Sequence, residues 1–361
     1  MRESLDKNDW KRILIVRLSA IGDVVMTTPV AKALRNAFPD AYIAWVVEDR
    51  SKDVIEGNPY LDEIIVWRRS TGPGSAFKRA AAYLAGVRDL RRELRARKFD
   101  VAIDFQGLLR SALVARISGA RRRVGYDSAR ERADLLYNVR LPMRDSGLRG
   151  PEMYRRMLEL LGIADDGFEM HVPIGDEDRA FARRFIADAV SGRPGSAKVV
   201  ALCPATTWQH KHWTEDGWAR LADDLVSRHG AAPIFLGSKT DAELMSRIRG
   251  LMKCDAESAI GKTTLKQASA ILEQSDLVIS VDTGLLHIAN ALNRPIVGIF
   301  GPTTWQYLRK KDTLTIVAKD LPCMPCFRHP GCNGFECMQA ITAEDVLSAA
   351  AARLAGKVPA T

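Results

Sequence analysis

No stretch of this sequence stays apolar for anything like the ~20 residues that a bilayer-spanning helix needs. A helical membrane protein is therefore excluded. The opening residues, MRESLDKNDWKR, are too polar for a secretory leader and run straight into a strand-like segment. A cytoplasmic location is the expectation. Low-complexity tracts and short-period repeats are absent, which excludes fibres and solenoids. The first strand–turn–helix pattern lacks a G-x-G-x-x-G fingerprint, which disfavours a dinucleotide site. Gly261-Lys262-Thr263 has no glycine five residues upstream and follows no strong strand, so it is not a phosphate-binding P-loop. The arginines lack the interleaved aromatics on which bases stack, and nucleic acid is the least favoured partner.

What is present is ordinary globular composition, 47% hydrophobic and 27% charged, over 361 residues. That length suits two α/β domains better than one core. The net charge of +9 is unevenly placed. Residues 1–160 hold 31 Lys+Arg against 21 Asp+Glu, a surplus of +10, and residues 161–361 hold 22 against 23, giving −1. An acidic partner should therefore meet the first half. A merely solvated face on Arg-rich helices, such as Val87–Lys98, is the alternative.

One stretch, Asp276–Thr303, carries the clearest local chemistry. Leu277–Val281 reads as a strand buried on both faces, Asp282-Thr283-Gly284 as a sharp polar turn, and Leu285–Leu292 as a short helix. Asn293-Arg294-Pro295 breaks that helix before a second buried strand, Ile296–Phe300, closed by Gly301-Pro302. Such a turn leaves free N–H groups at a helix N-terminus, a seat for phosphate. Gly284 lets the backbone come close to a ligand. His287 lies one turn in, facing the same mouth. The competing reading is that Asp282 and Thr283 merely cap the helix and His287 is a satisfied buried imidazole.

The same grammar recurs along the chain. Ile13–Val16 is a strand, and a helix is expected from about Val24 to Ala37. Asp23 stands between them, at the end of a strand where open α/β sheets hold ligands. It reads either as a general base toward a hydroxyl or as an early-turn acid complementing the helix dipole. Ala41–Val47 and Ile64–Trp67 are further strands, the latter leading into Arg68-Arg69. A basic helical region, Phe77–Arg97, precedes the strand Phe99–Phe105 and the turn Asp104-Phe105-Gln106-Gly107. Asp104, Gln106 and the arginines at 121–123 and 130 suggest a cationic acceptor site, with ordinary loop polarity as the alternative.

A turn-rich link near residues 170–195 marks the domain boundary. Beyond it, Lys198–Cys203 opens into Pro204–Trp213, where Thr206, Thr207 and Lys211 suit a diphosphate. Pro233–Leu236 repeats the pattern and leads to a helix from Asp241, whose early acids suit a ribose. Thr313–Val317 is the last strand. Cys323, Cys326, Cys332 and Cys337 follow with spacing C-x2-C-x5-C-x4-C. They read either as a small structural metal clip, zinc or iron with His329 as a substitute ligand, or as free or redox-active thiols. Cys203 and Cys254 stand alone and read as core residues. Thr342–Leu354 is an amphipathic helix capped by Thr342.

Three stretches together, Arg17–Asp23 (RLSAIGD), Ala205–Trp213 (ATTWQHKHW) and Val281–Ala289 with Gly301-Pro302-Thr303, resemble the ADP-heptose–lipopolysaccharide heptosyltransferases of glycosyltransferase family 9. The likeness runs in the same order over nearly the whole chain. Trp45–Glu48, Asp104–Ser111 and Ala129-Arg130-Glu131 are most similar to the heptosyltransferase I branch, which adds the first heptose to the Kdo of lipid A. The resemblance implies a GT-B fold, two Rossmann-like domains with mostly parallel sheets facing across a cleft. An acceptor domain over residues 1–175, a nucleotide-sugar domain over 176–340 and a final helix over 341–361 crossing back to the first domain are expected.

It also implies inversion at the anomeric carbon without a catalytic metal. Asp23 matches the family's catalytic aspartate and Lys211 its diphosphate-binding lysine, with Thr206 and Thr207 beside it. Asp282, Thr283, Gly284 and His287 match the donor-nucleotide motif, and Asp241 the ribose-binding acid, with Glu243 as a rival. Arg68, Arg69, Asp104, Gln106 and Arg130 fall where acceptor anions would be held. The implied partners are ADP-heptose, a Kdo-lipid A acceptor and the cytoplasmic face of the inner membrane. The cysteine cluster departs from the heptosyltransferase I pattern and is closer to protein-modifying relatives that hold a metal in a cysteine finger. Another nucleotide sugar, a protein acceptor, or a non-catalytic nucleotide-binding assembly module remain as alternatives.

Overall fold

The computed structural model describes residues 9–68, 75–164, 167–195, 197–308, 312–327, 332 and 334–356. The chain folds into two compact units, Met1–Pro173 and Ile174–Thr361. The first is built on a parallel sheet of β1 (Arg12–Val16), β2 (Tyr42–Glu48), β3 (Glu63–Trp67), β4 (Val101–Asp104), β5 (Arg122–Tyr126) and β6 (Val139–Leu141), in the order β3-β2-β1-β4-β5-β6. The second repeats it with β7 (Val199–Cys203), β8 (Ala232–Phe235), β9 (Glu257–Ser258), β10 (Leu277–Val281), β11 (Ile296–Ile299) and β12 (Leu314–Val317), in the order β12-β11-β10-β7-β8-β9.

These are the same topology twice. In each, the first and fourth strands of the unit are neighbours, and the chain leaves them in opposite directions across the sheet. That reversal opens a crevice at their carboxyl ends, where doubly wound sheets bind ligands. The sequence accounts for it, because β7 and β10 are buried throughout and apolar at every position but Ser280, as suits central parallel strands. Helices cover both faces.

Two local differences from the sequence reading have physical causes. The expected helix over 24–37 is two helices, Ile21–Thr27 and Pro29–Ala37. Pro29 has no N–H to continue the first ladder and sits instead at the start of the second, where none is needed. The arginine run at 121–123 is not a ligand loop. Arg122 and Arg123 lie in β5, Arg123 hydrogen-bonds the carbonyls of Leu136 and Ala120, and Arg121 pairs with Asp100 at 3.2 Å.

The closing helix packs on its own unit's core. Ala343–Leu354 packs against the Glu215–His229 helix and β10–β12, burying Val346, Leu347 and Ala350 in the second unit's core. Thr342 caps it by accepting the Asp345 N–H, as expected, and the Trp213 indole donates to the Ile341 carbonyl at 2.8 Å. Its apolar stripe is satisfied within that unit.

Candidate functional site

In the second unit the crevice between β7 and β10 gathers most of the residues singled out for the donor. Asp282 follows β10, and its carboxylate is held from three directions. Lys211 Nζ lies 2.6 Å from Oδ2, Thr303 Oγ1 donates to the same oxygen at 2.7 Å, and His287 Nε2 stands 3.7 Å from Oδ1. The three side chains come from the loop after β7, the loop after β11 and the Gly284–Ala291 helix. Burial alone would raise the Asp282 carboxyl, but His287 and Lys211 outweigh it and hold the group well below the ordinary carboxylate range. It is a fixed anion.

That geometry decides against the simple capping reading. Thr283 is the N-cap residue of Gly284–Ala291, yet no side chain caps this helix, and the Asp282 carboxylate faces Lys211 instead. The helix N-terminus is thus left without a side-chain partner beside an oriented ammonium. Thr206 donates its hydroxyl to the Asp282 carbonyl at 3.1 Å, tying the two crevice loops together, and Thr207 is exposed beside it. Lys211 Nζ also sits 4.3 Å above the Trp208 ring, and His212 Nε2 lies 2.8 Å from the Thr206 carbonyl oxygen. Thr303, Trp208 and His212 were not assigned as site residues. The Gly301-Pro302-Thr303 motif after a strand was the available signal for the first.

Asp241 lies elsewhere, after β8, and is used as a cap. Its Oδ2 accepts both the Ser238 N–H and the Ser238 hydroxyl at 2.7 Å. Glu243 is exposed and paired with Arg247 at 2.9 Å. Gly301 admits Cys337 and Met338 so closely that a Cβ there would stand 2.8 Å from the Cys337 sulfur. The segment bearing this cysteine therefore backs the loop that supplies Thr303. Burial, with the neighbouring thiols, pushes the Cys326 and Cys337 thiols up. Among the described residues no group of three or more His, Cys, Asp or Glu is arranged to hold a metal ion, and His329 lies outside them.

In the first unit the equivalent crevice, between β1 and β4, centres on Asp23. It is the third residue of Ile21–Thr27 and accepts the Ala20 N–H at 3.2 Å, so the capping role is real. Its other oxygen pairs with Arg17 at 2.7 Å. Arg17 is buried at the end of β1, donates to the Phe105 carbonyl at 2.6 Å, and lies over the Tyr154 ring. Burial works against its charge, but Asp23 and the surrounding oxygens prevail and keep its pKa above the ordinary value. Asp23 itself keeps 41% of its side chain exposed, so an anchored carboxylate remains open to solvent at the crevice.

Asp104 is corrected as a direct acceptor ligand, since it is fully buried and both oxygens are taken. Oδ1 accepts the Gln106 and Gly107 N–H groups, and Oδ2 accepts the Tyr137 hydroxyl at 2.7 Å. Gly107 is required in this turn, with φ +65° and the Tyr126 hydroxyl where a Cβ would stand. The turn delivers Gln106, whose side-chain oxygen takes the Leu18 N–H at 2.9 Å, leaving its amide NH₂ end to donate. Arg130 is brought alongside by its N–H bond to the Gly107 carbonyl and is exposed.

Arg68 is exposed at the end of the edge strand β3, two strands from β1, and Arg69 lies outside the described residues. A further group had no role assigned from sequence. Buried Glu48, at the end of β2, pairs with Arg110 at 2.8 Å and Arg50 at 3.2 Å, and Arg110 also donates to the Ser19 hydroxyl.

Two parallel sheets of this order, each with an ionic cluster at its switch point, are the sheet pair of the GT-B fold. Residues 87–334 match the family model for glycosyltransferase family 9 (heptosyltransferase), and the chain belongs to that family. It is 29% identical over 332 residues to lipopolysaccharide heptosyltransferase 1 of Pseudomonas aeruginosa, covering 88% of this chain and 86% of that one. Among solved structures, a family 9 glycosyl transferase from Veillonella parvula superposes with a TM-score of 0.80 at 24% identity, over 97% of this chain and 98% of that one. The heptosyltransferase WaaC of Escherichia coli, solved with ADP, superposes with a TM-score of 0.69 at 25% identity, over 95% and 99%. WaaC has also been solved with ADP-2-deoxy-2-fluoro heptose, with a TM-score of 0.65 at 25% identity, over 93% of this chain and 98% of that one.

Proposed function

We propose that this glycosyltransferase moves L-glycero-D-manno-heptose from ADP-heptose to the Kdo of lipid A, with inversion, at the cytoplasmic face of the inner membrane. The observation that carries the donor side is the convergence of Lys211, Thr303 and His287 on Asp282 beside an uncapped helix N-terminus. ADP and ADP-2-deoxy-2-fluoro heptose are the ligands named for WaaC, and lipopolysaccharide heptosyltransferase 1 is among the relatives.

In this reading Asp23 takes the proton from an acceptor hydroxyl, and that oxygen attacks the anomeric carbon from the face opposite the diphosphate. The bond from the anomeric carbon to the β-phosphate oxygen breaks, and ADP leaves with the electron pair. Lys211, Thr206, Thr207 and the N–H groups of the Gly284–Ala291 helix hold that developing charge, where fixed donors need no reorganisation. Asp282 keeps Lys211 and His287 oriented before the donor arrives. Arg130, Gln106 and Arg68 receive the acceptor's anions on the basic half of the chain.

The transfer needs no metal in this reading, and the cysteine segment serves as support for the Thr303 loop. The test is transfer by the purified protein from ADP-heptose, GDP-sugars and UDP-sugars to lipid A with and without Kdo. Turnover with ADP-heptose only when Kdo is present supports the reading. Equal turnover without Kdo, or preference for another nucleotide, overturns it.

A further inference from the structure

The helix Ala76–Ala96 has a face that is exposed among the described residues. Tyr83, Val87, Leu90 and Leu94 pack its inner side onto the first unit's core. On the outer side, residues 77, 81, 84, 88, 91, 92 and 95 fall in one stripe at helical spacing. Its first half is apolar and in the open, with Phe77 83% exposed and Leu84 66% exposed, separated by Ala81. Its second half is cationic, with Arg88, Arg91, Arg92 and Arg95 all exposed.

Single exposed apolar residues are common, but two large ones on one stripe that continues into arginines are a pattern. Among the described residues no carboxylate pairs with Lys78, Arg79, Arg88 or Arg91, while Arg92 is tied to Asp89 at 3.1 Å. The 21-residue helix carries six Lys/Arg and two Asp/Glu. No helix among the described residues is long and apolar enough to cross a membrane. A helix with this division lies in the plane of an interface, its aromatic and aliphatic residues among the acyl chains and its arginines at the phosphates.

We propose that the outer stripe of Ala76–Ala96 docks the protein on an anionic phospholipid surface. Phe77 and Leu84 enter the headgroup–acyl boundary, and Arg88 and Arg91 bind lipid phosphates. The proposal gives the membrane contact of the proposed function a place in the fold, and it rests on that reading only for its purpose. Charge complementarity selects the lipid: the surplus of +10 in residues 1–160 opposes a negatively charged bilayer and gives no reason to bind a zwitterionic one.

The test is co-sedimentation of the full chain with vesicles of phosphatidylcholine, alone or with added phosphatidylglycerol, with no nucleotide or acceptor present. Wild type should pellet with the phosphatidylglycerol vesicles and be released by salt. Phe77→Ser with Leu84→Ser, and separately Arg88→Glu with Arg91→Glu, should each weaken partitioning by about tenfold or more, with unfolding midpoints unchanged because these side chains are exposed. No binding by wild type, equal binding to both vesicle types, or wild-type partitioning by both double variants would overturn the proposal. Transfer to a soluble, deacylated Kdo acceptor separates the two readings. Its retention in both variants supports docking as a role apart from chemistry. Failure of that transfer in wild type, with lipid binding intact, defeats the proposed reaction and leaves the docking surface standing.

Discussion

Asp23 and Asp282 each stand just past a central strand of a six-stranded parallel sheet, and each faces a cation, yet their surroundings are opposite. Asp282 keeps 16% of its side chain exposed and is gripped by Lys211, Thr303 and His287. Asp23 keeps 41% exposed, with buried Arg17 on one oxygen and the Ala20 N–H on the other. A carboxylate buried among side-chain donors is a poor base and a good anchor; one left partly open to its crevice can be reached by a proton donor. Under the proposed reaction, the same fold, used twice, provides one acid group for orientation and one for reaction.

The sharpest way to break that contrast is to neutralise each in turn. Asp23→Asn should lower turnover by about 10²- to 10⁴-fold while ADP affinity, measured by calorimetry, stays as in wild type. Asp282→Asn should instead weaken ADP binding. The reverse pattern, or equal effects, would dissolve the division of labour. Arg17 acts through Asp23 as a positioning residue. Arg17→Met should cost about 10- to 100-fold in kcat with donor KM unchanged, partly restored by Arg17→Lys. Full activity in Arg17→Met would show that the tether is structural only.

Stability tests the donor-side carboxylate further. Asp282→Ala strands Lys211 in a mostly buried position and should cost about 3 kcal/mol in urea unfolding. Because the folded state depresses the Asp282 carboxyl, its contribution is complete above the ordinary carboxylate value near ~4 and is lost as pH falls below it. The stability gap between wild type and Asp282→Asn should accordingly be flat from neutral pH down to about 5 and close in more acid solution. A gap that widens as pH falls would reverse the sign of the coupling. The smallest effect expected is Tyr137→Phe, which removes one donor to buried Asp104 and should cost about 1–2 kcal/mol without moving ADP affinity.

Much of the donor half was legible from residue order. Apolar strands ending in polar turns announce a parallel sheet and the end at which it binds, and Thr206, Lys211, Asp282 and His287 lie within a few residues of such turns. Asp104 shows where that reasoning stops. A polar residue at a strand's carboxyl end looks the same in sequence whether it faces the ligand or turns inward to hold the loop. Only the Tyr137 hydroxyl, 33 residues away, tells which. Asp241 is ambiguous for a related reason, because a carboxylate three residues after a serine can cap, as it does on Ser238, as readily as it can bind.

Sequence by itself determined the two Rossmann-like halves, their boundary region and the basic character of the first, because buried strands, breakers and charge are local quantities. Tertiary structure alone decided which polar groups meet. Lys211 and Asp282 are 71 residues apart, and Thr303 a further 21 beyond Asp282. Their convergence depends on β10 pairing beside β7 and β11 beside β10. It likewise decided that the last helix buries its apolar stripe in the second unit, while Phe77 and Leu84 are left in the open. Hydrophobic pattern says that a face must be covered; only the assembled chain shows which faces its own core has already used.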